Sequence, residues 1–187
     1  MTDASPRSSN ARVFWGAVVV VVLLDVLTKY LVEHTLTVME PRRIVGDVVR
    51  FTLVYNPGAA FSMSLGDYSR WIFGSFAVIA LYILWRLYTQ SAPGDRLRSL
   101  ALGLAWGGAA GNLLDRLRGA RGVVDFIDIG VGRVRFWTFN VADSAVTIGA
   151  ILLAWVLWHE DRAPGAVRHA SDTTPIRSEG TGERTGT

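Results

Sequence analysis

Two acids in this sequence stand where acids are costly. Asp125 lies in Val123-Val124-Asp125-Phe126, among bulky apolar neighbours, and a carboxyl group placed there titrates above its ordinary range. Asp143 lies in Phe139-Asn140-Val141-Ala142-Asp143-Ser144, where the plainer reading is a carboxylate facing the dipole at a helix N-terminus. Two carboxyl groups brought together share a proton, one ionised as base and the other neutral as acid. Such a pair deprotonates a water and polarises an amide carbonyl without a metal or a nucleophilic side chain. Spacing alone does not bring Asp125 and Asp143 together.

Further polar groups interrupt apolar sequence. Asp25 and Lys29 are four apart, so on a helix they share a face, with acid before base as an ion pair prefers. Their plainer reading is mutual neutralisation. Asn56-Pro57-Gly58-Ala59-Ala60-Phe61-Ser62 is a turn signal. Its Asn either caps its own backbone or presents an amide to a ligand's main chain. Gly103, Gly107 and Gly111 repeat every four residues with Gly108 beside them, which reads as close helix packing. Asn112 and Arg116 project from one side of a helix, with Asp115 between them. Arg116 either grips a carbonyl or carboxylate with its planar fork or snorkels to lipid headgroups. Asp128 follows Asp125 by three residues.

Other chemistries lack their parts. No cysteine is present, which excludes disulfides, thiolate metal sites and cysteine nucleophiles. The three histidines, His34, His159 and His169, have no metal-ligand spacing. No nucleophile elbow, P-loop or dinucleotide fingerprint appears.

The elements that must hold these groups are apolar. The chain has 187 residues, 50% of them hydrophobic, and a mean hydropathy of +0.30. Charged residues make up 19%, against roughly 25% in an average soluble domain. The net charge of +3 comes with no dense Lys/Arg block, so nucleic acid is not an expected partner. Four apolar runs stand out: Val13 to Leu24, Trp71 to Trp85, Leu100 to Leu114 and Ser144 to Trp158. Each is a little short of the roughly 20 residues that span hydrocarbon and reaches that length when flanking polar residues are counted. Being apolar all round, they are unlike the striped helices of a soluble bundle. The expected spans are 13–32, 69–88, 97–115 and 141–159, within a membrane domain over 1–159. The first is read as retained, because no small-x-small cleavage site follows it. Residues 160–187, rich in Gly, Ser, Thr and mixed charge, read as a disordered tail.

Four spans put both termini on one side. Nine positive residues fall on that side and ten on the other, so the positive-inside rule does not orient the chain. The two loops on the far side both carry strand signals. Loop one has Ile44-Val45, a Gly46-Asp47 turn, then Val48 to Val54. Loop three has Phe126 to Ile129, Gly130 and Gly132, then Val134 to Phe136. Each reads as a short hairpin, apolar enough to lie on the membrane surface.

Five ordered blocks carry a resemblance: Asp25-Val-Leu-Thr-Lys29; Asn56-Pro-Gly-Ala-Ala-Phe61; Gly107-Gly-Ala-Ala-Gly-Asn-Leu-Leu-Asp-Arg116; Val123-Val-Asp-Phe-Ile-Asp128; and Phe139-Asn-Val-Ala-Asp143. In this order between four spans, over residues 13 to 158, they make the chain resemble lipoprotein signal peptidase, or signal peptidase II, an intramembrane aspartyl endopeptidase of bacteria. The resemblance implies an α-helical membrane protein of four transmembrane helices, with a small extracytoplasmic β-rich cradle and a surface loop over the site. It implies that Asp125 and Asp143 are the catalytic pair. It implies that Asn56, Gly58, Gly108, Asn112, Arg116 and Asn140 line the substrate site, supported by Asp25, Lys29 and Ala142. No metal or other cofactor is expected. The implied substrate is a prolipoprotein with a diacylglyceryl-modified Cys, cleaved just before that Cys. The implied setting is a monomer among the lipids of the cytoplasmic membrane, with both termini cytoplasmic and the site near the outer face.

A different reading makes the chain a small transporter or channel subunit with an ion path through its intramembrane acids. Such a path needs polar groups through the depth of the spans. Here the middles of the first, second and fourth runs lack ionisable residues, and the acids gather towards one face. A third reading is a scaffold that only binds lipid or partner helices.

Overall fold

Uninterrupted apolar sequence with few breakers folds as four long helices. The computed structural model describes residues 6–58, 66–119 and 121–160. The helices are α1 (Pro6–Thr35), α2 (Ser69–Thr89), α3 (Arg96–Arg118) and α4 (Val141–Glu160). Each contains its expected span. A 3-10 turn, Gly66–Tyr68, leads into α2. Asp95 starts α3 by accepting the Arg98 backbone N–H at 3.0 Å, the usual N-cap bond. The tail is expected to be disordered from residue 160; Glu160 instead ends α4, and 161–187 lie outside the described residues, as do Ala59 to Ser62 of the turn motif.

Helices α1, α2 and α4 are long and apolar enough to cross a membrane. Helix α3 falls short on apolarity, and its position explains why. It packs against all three other helices, so it is enclosed by protein. Its glycines set the packing distance. A Cβ at Gly103 would stand 2.7 Å from the Phe14 carbonyl, and one at Gly107 3.0 Å from Val21, both on α1. The α4 side is as tight: a Cβ at Gly108 would stand 2.3 Å from the Ala142 carbonyl. Large apolar side chains elsewhere point outwards, among them Val20 and Leu23 on α1, Trp71 and Phe76 on α2, and Ile151 and Trp158 on α4. A water-soluble monomer does not carry so much exposed apolar surface; in hydrocarbon it is the favourable surface.

The two far-side loops do not stay separate. Strands β1 (Arg42–Val45), β2 (Val49–Asn56), β3 (Val123–Val131) and β4 (Val134–Arg135) form one antiparallel sheet in the order β1-β2-β3-β4. Loop one supplies two strands and loop three the other two, joined by the β2–β3 ladder. One hydrophobic core lies within the bundle around Phe14, Val18 and Leu102. A second, of Val32, Leu53, Val124 and Phe126, fastens the sheet to the end of α1. The polar residues singled out above sit where bundle meets sheet.

Candidate active site

Strand alternation sorts the loop-three acids. Successive side chains of a strand face opposite ways, so Asp125 and Asp128, three apart on β3, face opposite sides. Asp128 accepts hydrogen bonds from Arg135 Nε at 2.6 Å and Thr52 Oγ1 at 3.2 Å. It belongs to the sheet. Asp125 is on the other face and is 4% exposed.

Backbone pairing then delivers partners to Asp125 from both edges of β3. On one edge Val54 is opposite Asp125 and Asn56 is opposite Val123. Asn56 is therefore a diagonal neighbour on the same face as Asp125, and its Nδ2 donates to Asp125 Oδ2 at 3.1 Å. Its Oδ1 accepts the Gly58 N–H at 3.0 Å. Both roles considered for an Asn in that turn are thus taken by one side chain. On the other edge Phe139 bridges to Ile127, which sets Asn140 beside Asp125. The fully buried Asn140 donates from Nδ2 to Asp125 Oδ1 at 2.7 Å.

Asn140 is also the N-cap of α4. Its Oδ1 accepts the Asp143 N–H at 2.8 Å, and Asp143 Oδ2 accepts the Asn140 N–H at 3.2 Å. This is a reciprocal capping box, with Asp in the place of the more usual Glu. The second Asp143 oxygen, Oδ1, accepts from Asn112 Nδ2 at 2.7 Å. One amide side chain, Asn140, thus bonds the Asp125 carboxyl and the Asp143 backbone N–H. Burial and the nearby Asp143 charge push the Asp125 carboxyl up to about 7, against weaker opposing effects of its bonds to Asn56 and Asn140 and of the Lys29 charge.

A second tier lies behind this one. Lys29 Nζ contacts Asp25 Oδ2 at 2.7 Å, Asp115 Oδ2 at 2.7 Å and Asn112 Oδ1 at 3.0 Å. Asp25, wholly buried, accepts the Ala142 N–H with its other oxygen at 3.0 Å, satisfying another donor in the first turn of α4. Gly111 leaves room for this acid: a Cβ there would stand 2.6 Å from Asp25 Oδ2. Arg116 donates to the Gly58 carbonyl at 2.9 Å and to its own helix at the Asn112 carbonyl at 3.0 Å. Arg70 in turn holds the Arg116 carbonyl.

The eleven residues singled out by sequence therefore fall into three groups. Asp125, Asp143, Asn56, Asn112 and Asn140 form one hydrogen-bonded network. Asp25, Lys29 and Ala142 stand directly behind it, and Arg116 ties Gly58 to α3. Gly108 is a packing position against the Ala142 backbone. Sequence reading gave no role to Asp115, although it lies three residues from Asn112 on the same helix face and Lys29 sits within its reach. His34 and His159 each bond a carbonyl one helical turn back. Among the described residues no group of three or more His, Cys, Asp or Glu is arranged to hold a metal ion.

Comparison with known proteins points one way. Residues 17–159 match the family model for signal peptidase (SPase) II. The chain is 42% identical over 149 residues to the lipoprotein signal peptidase of Cupriavidus taiwanensis, covering 78% of this chain and 82% of that protein. It is 46% identical over 152 residues to the lipoprotein signal peptidase of Coxiella burnetii, covering 79% and 90%. A bacterial membrane enzyme solved in meso at 2.3 Å superposes with a TM-score of 0.72 at 28% identity, covering 86% of this chain and 94% of that one.

Proposed function

The chain belongs to the signal peptidase II family, and from that premise we propose that Asp125 and Asp143 hydrolyse the amide before the lipid-bearing Cys of a prolipoprotein. The protein is a membrane peptidase of aspartic type, and removal of signal peptides from prolipoproteins is the work its family membership supports. The observation that carries the finer reading is Asn140, whose side chain bonds the Asp125 carboxyl and whose backbone N–H bonds the Asp143 carboxyl.

In this mechanism Asp125 holds the proton and Asp143 is the carboxylate. Asp125 is the more buried and is raised to about 7, so it enters as the acid at neutral pH. Both Asp143 oxygens accept N–H hydrogen bonds, at the N-terminus of α4, which suits the base. A water between them loses a proton to Asp143 as its oxygen bonds to the amide carbon. Asp125 gives its proton to the carbonyl oxygen, forming a neutral tetrahedral diol. Collapse breaks the C–N bond as the proton held on Asp143 passes to the leaving amine. The diol returns one hydroxyl proton to Asp125, and the pair is restored. Each role uses a general acid or base within hydrogen-bond reach of the reacting atoms.

The remaining residues orient the substrate. Arg116, anchored to the Gly58 carbonyl, aligns the substrate main chain beside the turn at Asn56. The substrate's acyl chains and signal helix lie against the apolar flanks of the bundle, so the scissile amide reaches the junction of bundle and sheet from within the membrane plane. The sheet acts as an extracytoplasmic cradle, placing the site near the outer face of the cytoplasmic membrane with both termini inside. The enzyme works as a monomer with no cofactor.

The test is cleavage of a diacylglyceryl-modified prolipoprotein in detergent micelles, read as a gel shift. Wild type produces the shift; folded Asp125→Asn and Asp143→Asn do not. Processing by either folded variant at the wild-type rate would sink the paired-acid mechanism.

A further inference from the structure

We propose that Asp115 is a positioning residue for the two catalytic acids, fixing Lys29 and the start of β3 together. The inference rests on the paired-acid reading above. It begins with two buried carboxylates on one ammonium. Lys29 is 3% exposed and Asp25 already neutralises it at 2.7 Å. Asp115, 9% exposed, places a second carboxylate on the same ammonium at 2.7 Å. A second buried carboxylate costs solvation free energy, and the Asp25–Lys29 ion pair does not need it.

What Asp115 adds is direction. An ammonium has three donors and no acceptor. Here they meet Asp25, Asp115 and Asn112 Oδ1, so the group cannot turn. With its oxygen held by Lys29, the Asn112 amide presents Nδ2 to Asp143 Oδ1 at 2.7 Å. The same Asp115 oxygen that holds Lys29 accepts the backbone N–H of Val124 at 3.2 Å, one residue before Asp125. One oxygen atom therefore stands at the root of two short chains of contacts, one leading to each acid. The charged groups around it are Asp25, Lys29 and Glu33 on α1, Arg116 and Arg118 on α3, and Arg121 before β3.

Asp115→Asn tests this with little change of shape, since the amide oxygen still accepts from Val124 while the charge on Lys29 is lost. In the full-length protein with lipid-modified prolipoprotein, kcat falls tenfold or more and KM stays within twofold. Removing a nearby negative charge also eases ionisation of the pair, so the alkaline limb of the rate profile moves to lower pH. Because Asp115 acts through Lys29, the double variant with Lys29→Met is no slower than Lys29→Met alone. Asp115→Glu, which keeps the charge one methylene out of place, folds and also loses kcat. A wild-type kcat in either folded Asp115 variant overturns the proposal. So does a loss that only follows the fraction of unfolded protein, or losses that multiply in the double variant. Asp125→Asn and Asp143→Asn run alongside: activity in those is a failure of the paired-acid reading, whereas their inactivity beside a fully active Asp115→Asn is a failure of this inference alone.

Discussion

Asn140 and Asp143 close the first turn of α4 on each other, each side chain accepting the other's backbone N–H. The bonds that start the helix are also the bonds that orient the carboxylate proposed as the base. A carboxylate at the third helical position has few ways to turn once its oxygens are bound at the N-cap and at Asn112. Fixed geometry of this kind is what proton transfer requires.

Asn140→Ala therefore removes two things. Loss of the cap costs about 1 kcal/mol, and loss of the bond to the neutral Asp125 carboxyl adds roughly 0.5–1.5 kcal/mol. The variant is expected to unfold earlier in detergent and to lose cleavage at temperatures where it is still folded. Asn140→Asp keeps an oxygen for the cap but sets a third carboxylate beside Asp125. It is expected to regain part of the stability and none of the activity. Thermal unfolding and gel-shift cleavage on both variants check this; activity returning with stability would show that Asn140 serves the helix alone.

The rate profile follows from Asp125. Its carboxyl is raised to about 7, so the native state holds a proton there that the unfolded chain releases near 3.8. Linkage gives the sign: between those values the native state binds more protons, so this group's contribution to stability is full below 3.8 and fades as pH rises to about 7. The proposed mechanism uses the same proton, so kcat/KM is expected to fall on the alkaline side with an apparent pKa near 7, a property of the pair. A rate measured from pH 5 to 9 that stays flat through 7 would remove Asp125 as the acid.

How much of this was legible in the sequence depends on how local each feature is. All-round apolarity is local, and the four helices stand where their runs placed them. The polar residues that meet where bundle joins sheet were legible as a family pattern. The single sheet was not, because alternation marks a strand without naming its neighbour, and β2 and β3 come from different loops. The place of α3 at the centre was hinted at only by its small residues. Asp115 went without a role because its partners, Lys29 and the Val124 N–H, lie on two other elements.

Gly111 offers a test of the second tier by volume alone. A Cβ there would stand 2.6 Å from Asp25 Oδ2, whereas one at Gly16 on α1 would meet nothing within 4 Å. Gly111→Ala is expected to destabilise by about 1–3 kcal/mol through overpacking and to lower kcat by shifting Asp25, Lys29 and the amide of Asn112. Gly16→Ala is expected to be neutral or to stabilise by roughly 0.5–1 kcal/mol, as Ala does in a helix. Equal effects at both positions, measured by unfolding and cleavage, would mean that the space beside Asp25 is immaterial.

Gly122 and Gly46 separate backbone strain from close approach. Both have left-handed backbone, with φ of +94° and +52°, where a side chain costs roughly 1–3 kcal/mol. They differ in their surroundings. A Cβ at Gly46, between β1 and β2, would meet nothing within 4 Å; one at Gly122 would lie 2.1 Å from the Asn56 carbonyl oxygen. That contact lies at the end of the β2–β3 ladder, where Asn56 is opposite Val123. Gly122→Ala must push the two strands apart there, and Asn56 Nδ2, 3.1 Å from Asp125, moves with them. Both variants are expected to lose stability, while only Gly122→Ala loses cleavage, by about as much as Asn56→Ala. Combining Gly122→Ala with Asn56→Ala should then cost little further activity, because both changes break one contact. Losses that multiply in the double variant would place the effect of Gly122 elsewhere in the site.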